Sequence, residues 1–370
     1  MANLGLAVNL PFVRSLRMNG RIVISAFVGI LAYVCQACSQ PRNHLAASAR
    51  LDIREEQVQF RNGSVTLAGT LFLPAGQGRH PAVVLFHGSG SEARNTFMAH
   101  WFAEQGVAAL TYDKRGVGAS TGDYREVAFV DLCGDGLAGM KLLEAHAGIL
   151  PKQIGVWGLS QGGWLGPLAA AQSKDVAFVI AVSGPGVSPG EQMIFYYGSE
   201  LRAEGLPEAQ IDEASTLRRR VWHYLGTGVG YDEAKAALER GRSKPWYAAL
   251  QAQSDGLFAK SESAILDDPA VRSRLWFKVE MNYDPTIALR RLSVPALFLF
   301  GEKDELVPVG KSVEIIRGVL TQSGHPDFTI QVFPEADHGI RVTAPDGTMR
   351  LAPGYLDTMR DWLRRRVAVG

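Results

Sequence analysis

Cysteine is scarce in this chain of 370 residues, with three in all: Cys35, Cys38 and Cys133. Charge of one sign is missing as well. The 38 Lys and Arg against 37 Asp and Glu leave a formal net charge of +1, which offers no general attraction for nucleic acid or an anionic surface. There is no internal repeat and no long low-complexity run. The apolar stretch from Ile22 to Val34 has 13 residues. As a helix it would reach only about 20 Å, short of the roughly 30 Å hydrocarbon layer of a membrane. What the chain does have is 46% hydrophobic and 20% charged residues, enough for the core of a soluble globular protein with one large or two ordinary domains.

The first fifty residues differ from the rest. Arg14, Arg17 and Arg21 precede the apolar run, and small and polar residues follow it, the three-part layout of a secretory signal. Residues 1–49 are therefore expected to be a signal and linker that export the chain to a periplasmic or extracellular location. Two cleavage sites compete. Cys35-Gln36-Ala37-Cys38 resembles a bacterial lipoprotein box, with Cys35 where Leu is usual, and would leave a lipidated Cys38 holding the protein at a membrane. Ala47-Ser48-Ala49 would instead release a free protein. Either cut leaves Cys133 as the one cysteine besides a lipidated one, so no internal disulfide can form. Arg218-Arg219-Arg220 and Arg364-Arg365-Arg366 read as solvated helix faces or ends.

The chemistry centres on Val156-Trp157-Gly158-Leu159-Ser160-Gln161-Gly162-Gly163. Apolar residues before the serine read as a buried strand, and Trp164 to Ala171 as a small-residue helix. A serine on so sharp a strand-to-helix turn is strained, and only small residues fit two places before and after it. Its hydroxyl stands clear of the sheet, with the N-terminus of a helix behind it. Ser160 is the candidate nucleophile.

Upstream, residues 57–61 and 64–73 alternate apolar and polar around Asn62-Gly63, an antiparallel hairpin signal. Ala82 to Phe86 is a continuous apolar run, as in a strand buried on both faces. It ends in His87-Gly88-Ser89-Gly90, whose backbone can approach a ligand closely. The Ser89 N–H, with Gly90 as the neighbouring choice, is the candidate partner of the Gln161 N–H in an oxyanion hole. His87 is read as a brace. In Asp113-Lys114-Arg115-Gly116, opposite charges two residues apart are expected to pair as Asp113–Arg115. Strands and helices alternate up to residue 188, which argues for a parallel sheet covered on both faces. Residues 189–291 contain no comparable strand and read as an inserted helical cap over the serine, its aromatics mostly forming a core of their own. Strand logic resumes at Pro295 to Phe300, ending in Gly301-Glu302-Lys303-Asp304-Glu305, and again at Phe328 to Phe333, ending in Ala336-Asp337-His338-Gly339.

A serine needs a base, and a base needs an orienting acid. Nucleophile, acid, histidine is the chain order of hydrolases with this type of turn. Only His325 and His338 follow Asp304, and His338 ends its strand where His325 precedes it. Imidazole titrates near neutrality, which suits taking and returning a proton. Asp304 is the favoured acid, with Glu302, Glu305 and Asp337 as rivals.

On these motifs, in this order, the chain resembles the α/β-hydrolase superfamily over about residues 57–188 and 292–368. Within it the chain is similar to bacterial esterases related to the prolyl-oligopeptidase catalytic domain and to bile-acid-CoA acyltransferase-like proteins. The resemblance implies a mostly parallel eight-stranded sheet with helices on both faces, formed by residues 50–188 and 292–370, and a helical cap at 189–291. It also implies a serine nucleophile, an acyl-enzyme intermediate, a small-molecule ester substrate, and neither cofactor nor metal. Serine rather than cysteine at the turn, and no room for a propeller, set the chain apart from the acyltransferases and the true oligopeptidases. Ester hydrolysis is thus the leading expectation, and an exopeptidase with the same triad the second.

Overall fold

The computed structural model describes residues 52–253, 255–274 and 280–367. The expected signal, both cleavage sites, Cys38 and the cap aromatics Trp276 and Phe277 lie outside these. Among the described residues, no helix is long and apolar enough to cross a membrane.

The chain opens with β1 (Arg54–Asn62) and β2 (Val65–Leu73), paired antiparallel with Asn62 opposite Val65. The turn requires a left-handed residue, and Gly63 supplies it at φ 58°. There follow β3 (His80–Phe86), α1 (Thr96–Glu104), β4 (Ala108–Tyr112), α2 (Phe129–Ala145), β5 (Ile149–Leu159), α3 (Gln161–Gln172) and β6 (Val179–Val182). After a long helical stretch the sheet resumes with β7 (Ala296–Gly301), α11 (Val309–Gln322) and β8 (Phe328–Phe333). Strand order is β1-β2-β4-β3-β5-β6-β7-β8. Every pairing from β4 to β8 is parallel, and β1 and β2 form the antiparallel edge.

The continuous apolar runs are explained by the two cores. Val84 and Phe86 of β3 face the core that holds Leu132, Met140 and Leu165, while Val83 and Leu85 face the one that holds Phe102, Met359 and Trp362. Alternate residues serve opposite faces, so Val83 to Phe86 meet a core whichever way they point and all are apolar. Each such side chain contributes about 1.5–3 kcal/mol by leaving water.

Between β6 and β7 lie α4 (Pro189–Ala203), α5 (Glu208–Thr227), α6 (Tyr231–Arg242), α7 (Tyr247–Ala252), α8 (Glu262–Leu266), α9 (Pro269–Arg272) and α10 (Pro285–Arg291). The first six build a separate core that includes Tyr197, Trp222, Trp246, Tyr247 and Phe258. Helix α10 differs: its Leu289 packs in the core under the sheet, although residues up to 291 were expected to belong to the insertion.

Arg218 corrects the reading of the Arg218-Arg219-Arg220 cluster as solvated. It is 1% exposed, paired with Asp255 and Gln253 and stacked 3.8 Å from the Tyr197 ring centroid. The helical period is the reason: Ala214, Leu217, Arg218, Val221 and Leu225 share the buried face of α5.

Beyond β8 the chain adds a short hairpin, β9 (Arg341–Thr343) with β10 (Met349–Leu351), that the sequence reading did not anticipate. Then α12 (Tyr355–Arg364) closes the second core.

Candidate active site

Ser160 sits between β5 and α3 with φ 57° and ψ −114°, outside the comfortable regions for a residue with a Cβ. The turn is held by its neighbours. A Cβ on Gly158 would lie 2.3 Å from the Gly162 carbonyl oxygen, so only glycine fits there. Backbone bonds from the Ser160 N–H to Val182 O and from the Gly163 N–H to Ser160 O, both 2.8 Å, lock the bend. Ser160 occupies the N-cap of α3, where a serine hydroxyl ordinarily accepts from the first turn. Here it makes no capping bond, so the hydroxyl of this half-buried residue is left for chemistry.

Two loops away, Asp304 and His338 meet. His338 Nδ1 lies 2.7 Å from Asp304 Oδ2, with the Asp304 side chain fully buried. The other carboxylate oxygen accepts the Leu306 and Val307 N–H groups at 2.8 and 2.9 Å, which satisfies a charge that burial would otherwise make costly. An ionised carboxylate only accepts, so in the neutral ring Nδ1 carries the proton and Nε2 presents its lone pair. Ser183, which the sequence reading missed, ties this loop to the serine: it follows Val182, and its hydroxyl donates to His338 O at 2.8 Å.

The rivals are engaged elsewhere. Asp337 pairs with Arg341 at 2.8 Å, Glu302 accepts the Glu335 N–H, and Glu305 is exposed. His325 contacts Val294 O at 3.0 Å, at the far end of β7.

Ser89 and Gly90 lie at the carboxyl end of β3, beside the end of β5 that carries the turn. Gln161 provides the first N–H of α3, which has no carbonyl one turn back to meet. His87 braces the loop: it is buried, with Nε2 2.6 Å from Tyr112 O, and burial together with the Lys114 charge pulls its pKa down to about 3. A folded-state pKa below the ordinary 6.5 means that the unfolded chain binds the extra proton, so this contribution to stability is lost as pH falls from about 6.5 toward 3. His87→Phe should flatten the acid limb by up to about 1.4 kcal/mol per pH unit, as read from denaturant unfolding at pH 6 and 5.

The expected Asp113–Arg115 pair does not form. Asp113 pairs with Arg94 at 3.2 Å, and Arg115 with buried Asp135 of α2 at 2.6 Å. Asp113 meets Arg94 of the loop that leads into α1 and Arg115 meets Asp135 of α2, so each charge is taken by a partner from another segment instead of by the other. Lys114, between them, turns inward and is 2% exposed. Cys133 is buried, its thiol pushed up to about 12, so it stays protonated. Among the described residues, no group of three His, Cys, Asp or Glu is placed to hold a metal ion.

Comparison with known proteins agrees with this architecture. GrgF, a polyketide transferase of a Penicillium species, is 38% identical over 122 residues, which is 32% of this chain and 41% of that protein. Its crystal structure superposes with a TM-score of 0.53 at 21% identity, covering 85% of this chain and 99% of that one. An uncharacterised 31.7 kDa protein from the traX-finO intergenic region of Escherichia coli is 32% identical over 276 residues, 73% of this chain and 87% of its own. Esterase EstD of Thermotoga maritima is 25% identical over 281 residues, 74% of this chain and 57% of that protein. Thus the sequence matches span about two fifths of GrgF and just over half of EstD. Residues 83–351 match the model of the alpha/beta hydrolase family, and the chain belongs to that family.

Proposed function

We propose that the protein hydrolyses carboxylic esters through a covalent acyl-enzyme on Ser160, with His338 as base and then acid, and Asp304 orienting it. The observation that carries this reading is the buried 2.7 Å contact between Asp304 and His338, in a loop tied through Ser183 to the strained turn of Ser160. Nε2 takes the serine proton as Oγ attacks the carbonyl, and the N–H groups of Gln161 and Ser89 receive the oxyanion. The imidazolium returns the proton to the leaving alcohol. Water, deprotonated by the same nitrogen, then attacks the acyl carbon; the bond to Oγ breaks, the imidazolium returns its proton to Oγ, and the acid leaves.

Similarity to a protein named an esterase supports the ester over the amide. The helical insertion that starts after β6 is proposed to cover the serine and shape its acyl pocket. A panel comparing aryl esters of graded acyl length with an aminoacyl anilide tests the reading. Turnover of a preferred ester at least about a hundredfold above the anilide is expected. The reverse order would favour the exopeptidase.

A further inference from the structure

Lys114 is a buried cation that the reaction above does not use. Its Nζ donates to Gly88 O at 2.7 Å and to the Gln161 side-chain Oε1 at 2.9 Å, and lies 5.0 Å from the centroid of the Tyr124 ring. Gly88 is gripped at both ends, since its N–H donates to Glu92 Oε2 at 2.8 Å. The Lys114 N–H in turn donates to Glu92 O at 3.1 Å.

We propose that Lys114 is a positioning residue for the oxyanion site, one ammonium that orients both of its donors at once. The inference rests on the reading of the Ser89 and Gln161 N–H groups as those donors. Gly88 C=O and Ser89 N–H belong to a single peptide unit. In a planar trans peptide they point in opposite directions, so fixing the oxygen on Lys114 fixes the aim of the Ser89 N–H. A cation on that oxygen also polarises the amide and strengthens it as a donor. The bond to the Gln161 side chain anchors the residue whose own N–H is the second donor. Without Lys114, the Gly88–Ser89 peptide would be free to rotate, and reorganisation of the hole would have to accompany each turnover.

The groups facing this ammonium are Glu92 from the loop between β3 and α1, Glu280 from the segment before α10, Asp135 from α2, and His87 at the end of β3. Burial draws Lys114 down to about 8 against the pull of Glu92, Glu280 and Asp135, and pushes Glu280 up to about 7. His87 stays neutral above its own lowered value. The charge on Lys114 is therefore present at neutral pH and lost as pH rises through about 8.

Lys114→Met tests the proposal against a purely structural brace. In a protein shown to be folded by its thermal transition, kcat should fall by about a hundredfold, as for loss of one oxyanion donor, with KM changed by less than about threefold. The affinity of a trifluoromethyl ketone, which adds to the serine and places an anionic oxygen in the hole, should fall in proportion to kcat. A folded variant that keeps kcat and ketone affinity within about threefold overturns the proposal, as does one that loses only KM or only stability. Should Lys114→Met fail to fold, Lys114→Arg decides. The wild-type kcat should decline as pH rises through about 8 and the Arg variant, whose cation persists, should not; coincident profiles overturn the assignment. Ser160→Ala is the control that separates the two readings. Wild-type turnover in that variant defeats the serine mechanism itself, whereas its loss beside an unaffected Lys114→Met defeats only the role of Lys114.

Discussion

Ser160→Ala is expected to lower kcat on an activated ester by about a millionfold, to the level that binding and the remaining polar groups sustain without a nucleophile. The size of the effect follows from how little else the hydroxyl does. It caps no helix, and the Gly158 and Gly162 backbone contact that shapes the turn is independent of it. Alanine inherits the same positive φ, so stability should change by no more than about 0.5 kcal/mol. Loss of turnover in a protein that unfolds at an unchanged temperature therefore reports chemistry alone. Steady-state rates and a thermal melt on one preparation check both halves.

Asp304→Asn should lower kcat by roughly ten-thousandfold, although it alters a single heavy atom. The two ends of the carboxylate are not equivalent. Oδ1 accepts two backbone N–H groups, from Leu306 and Val307, so an asparagine must place its carbonyl there. Its NH2 is then forced toward His338 Nδ1, where Oδ2 had been. Two donors cannot face each other, so Nδ1 must become the acceptor and the ring proton moves to Nε2. In that tautomer Nε2, the proposed acceptor of the serine proton, is already protonated and cannot accept it. Rates at neutral pH measure the loss, and a ring NH signal that shifts from Nδ1 to Nε2 by nitrogen NMR would identify its cause.

Much of this site is legible in the sequence because the fold puts its chemistry at strand ends. Asp304 follows the continuous apolar run of β7 and His338 follows the alternating strand β8, and the glycines around Ser160 mark a bend that no larger residue could make. Pairing across the structure is a different matter. Asp113 and Arg115 look like partners because they are close in sequence, yet their partners Arg94 and Asp135 come from elsewhere in the chain. Burial of Lys114 has no periodic signature, since a lone cation between two charged neighbours reads as surface. Arg218 did carry a signal. Its spacing from Ala214, Leu217 and Val221 marks an inward face, which the run of three arginines obscured. Ser183 had none, because its bond to His338 O spans 155 residues. The β9–β10 hairpin has strands of three residues each, too short for alternation to stand out.

The most direct test of the account is to label the active protein with a fluorophosphonate and locate the adduct by peptide mass mapping. One adduct is expected, on Ser160, formed at a rate that falls steeply in His338→Ala. An adduct on any other residue, or ester turnover in a protein whose Ser160 stays unmodified under inactivating conditions, would contradict it.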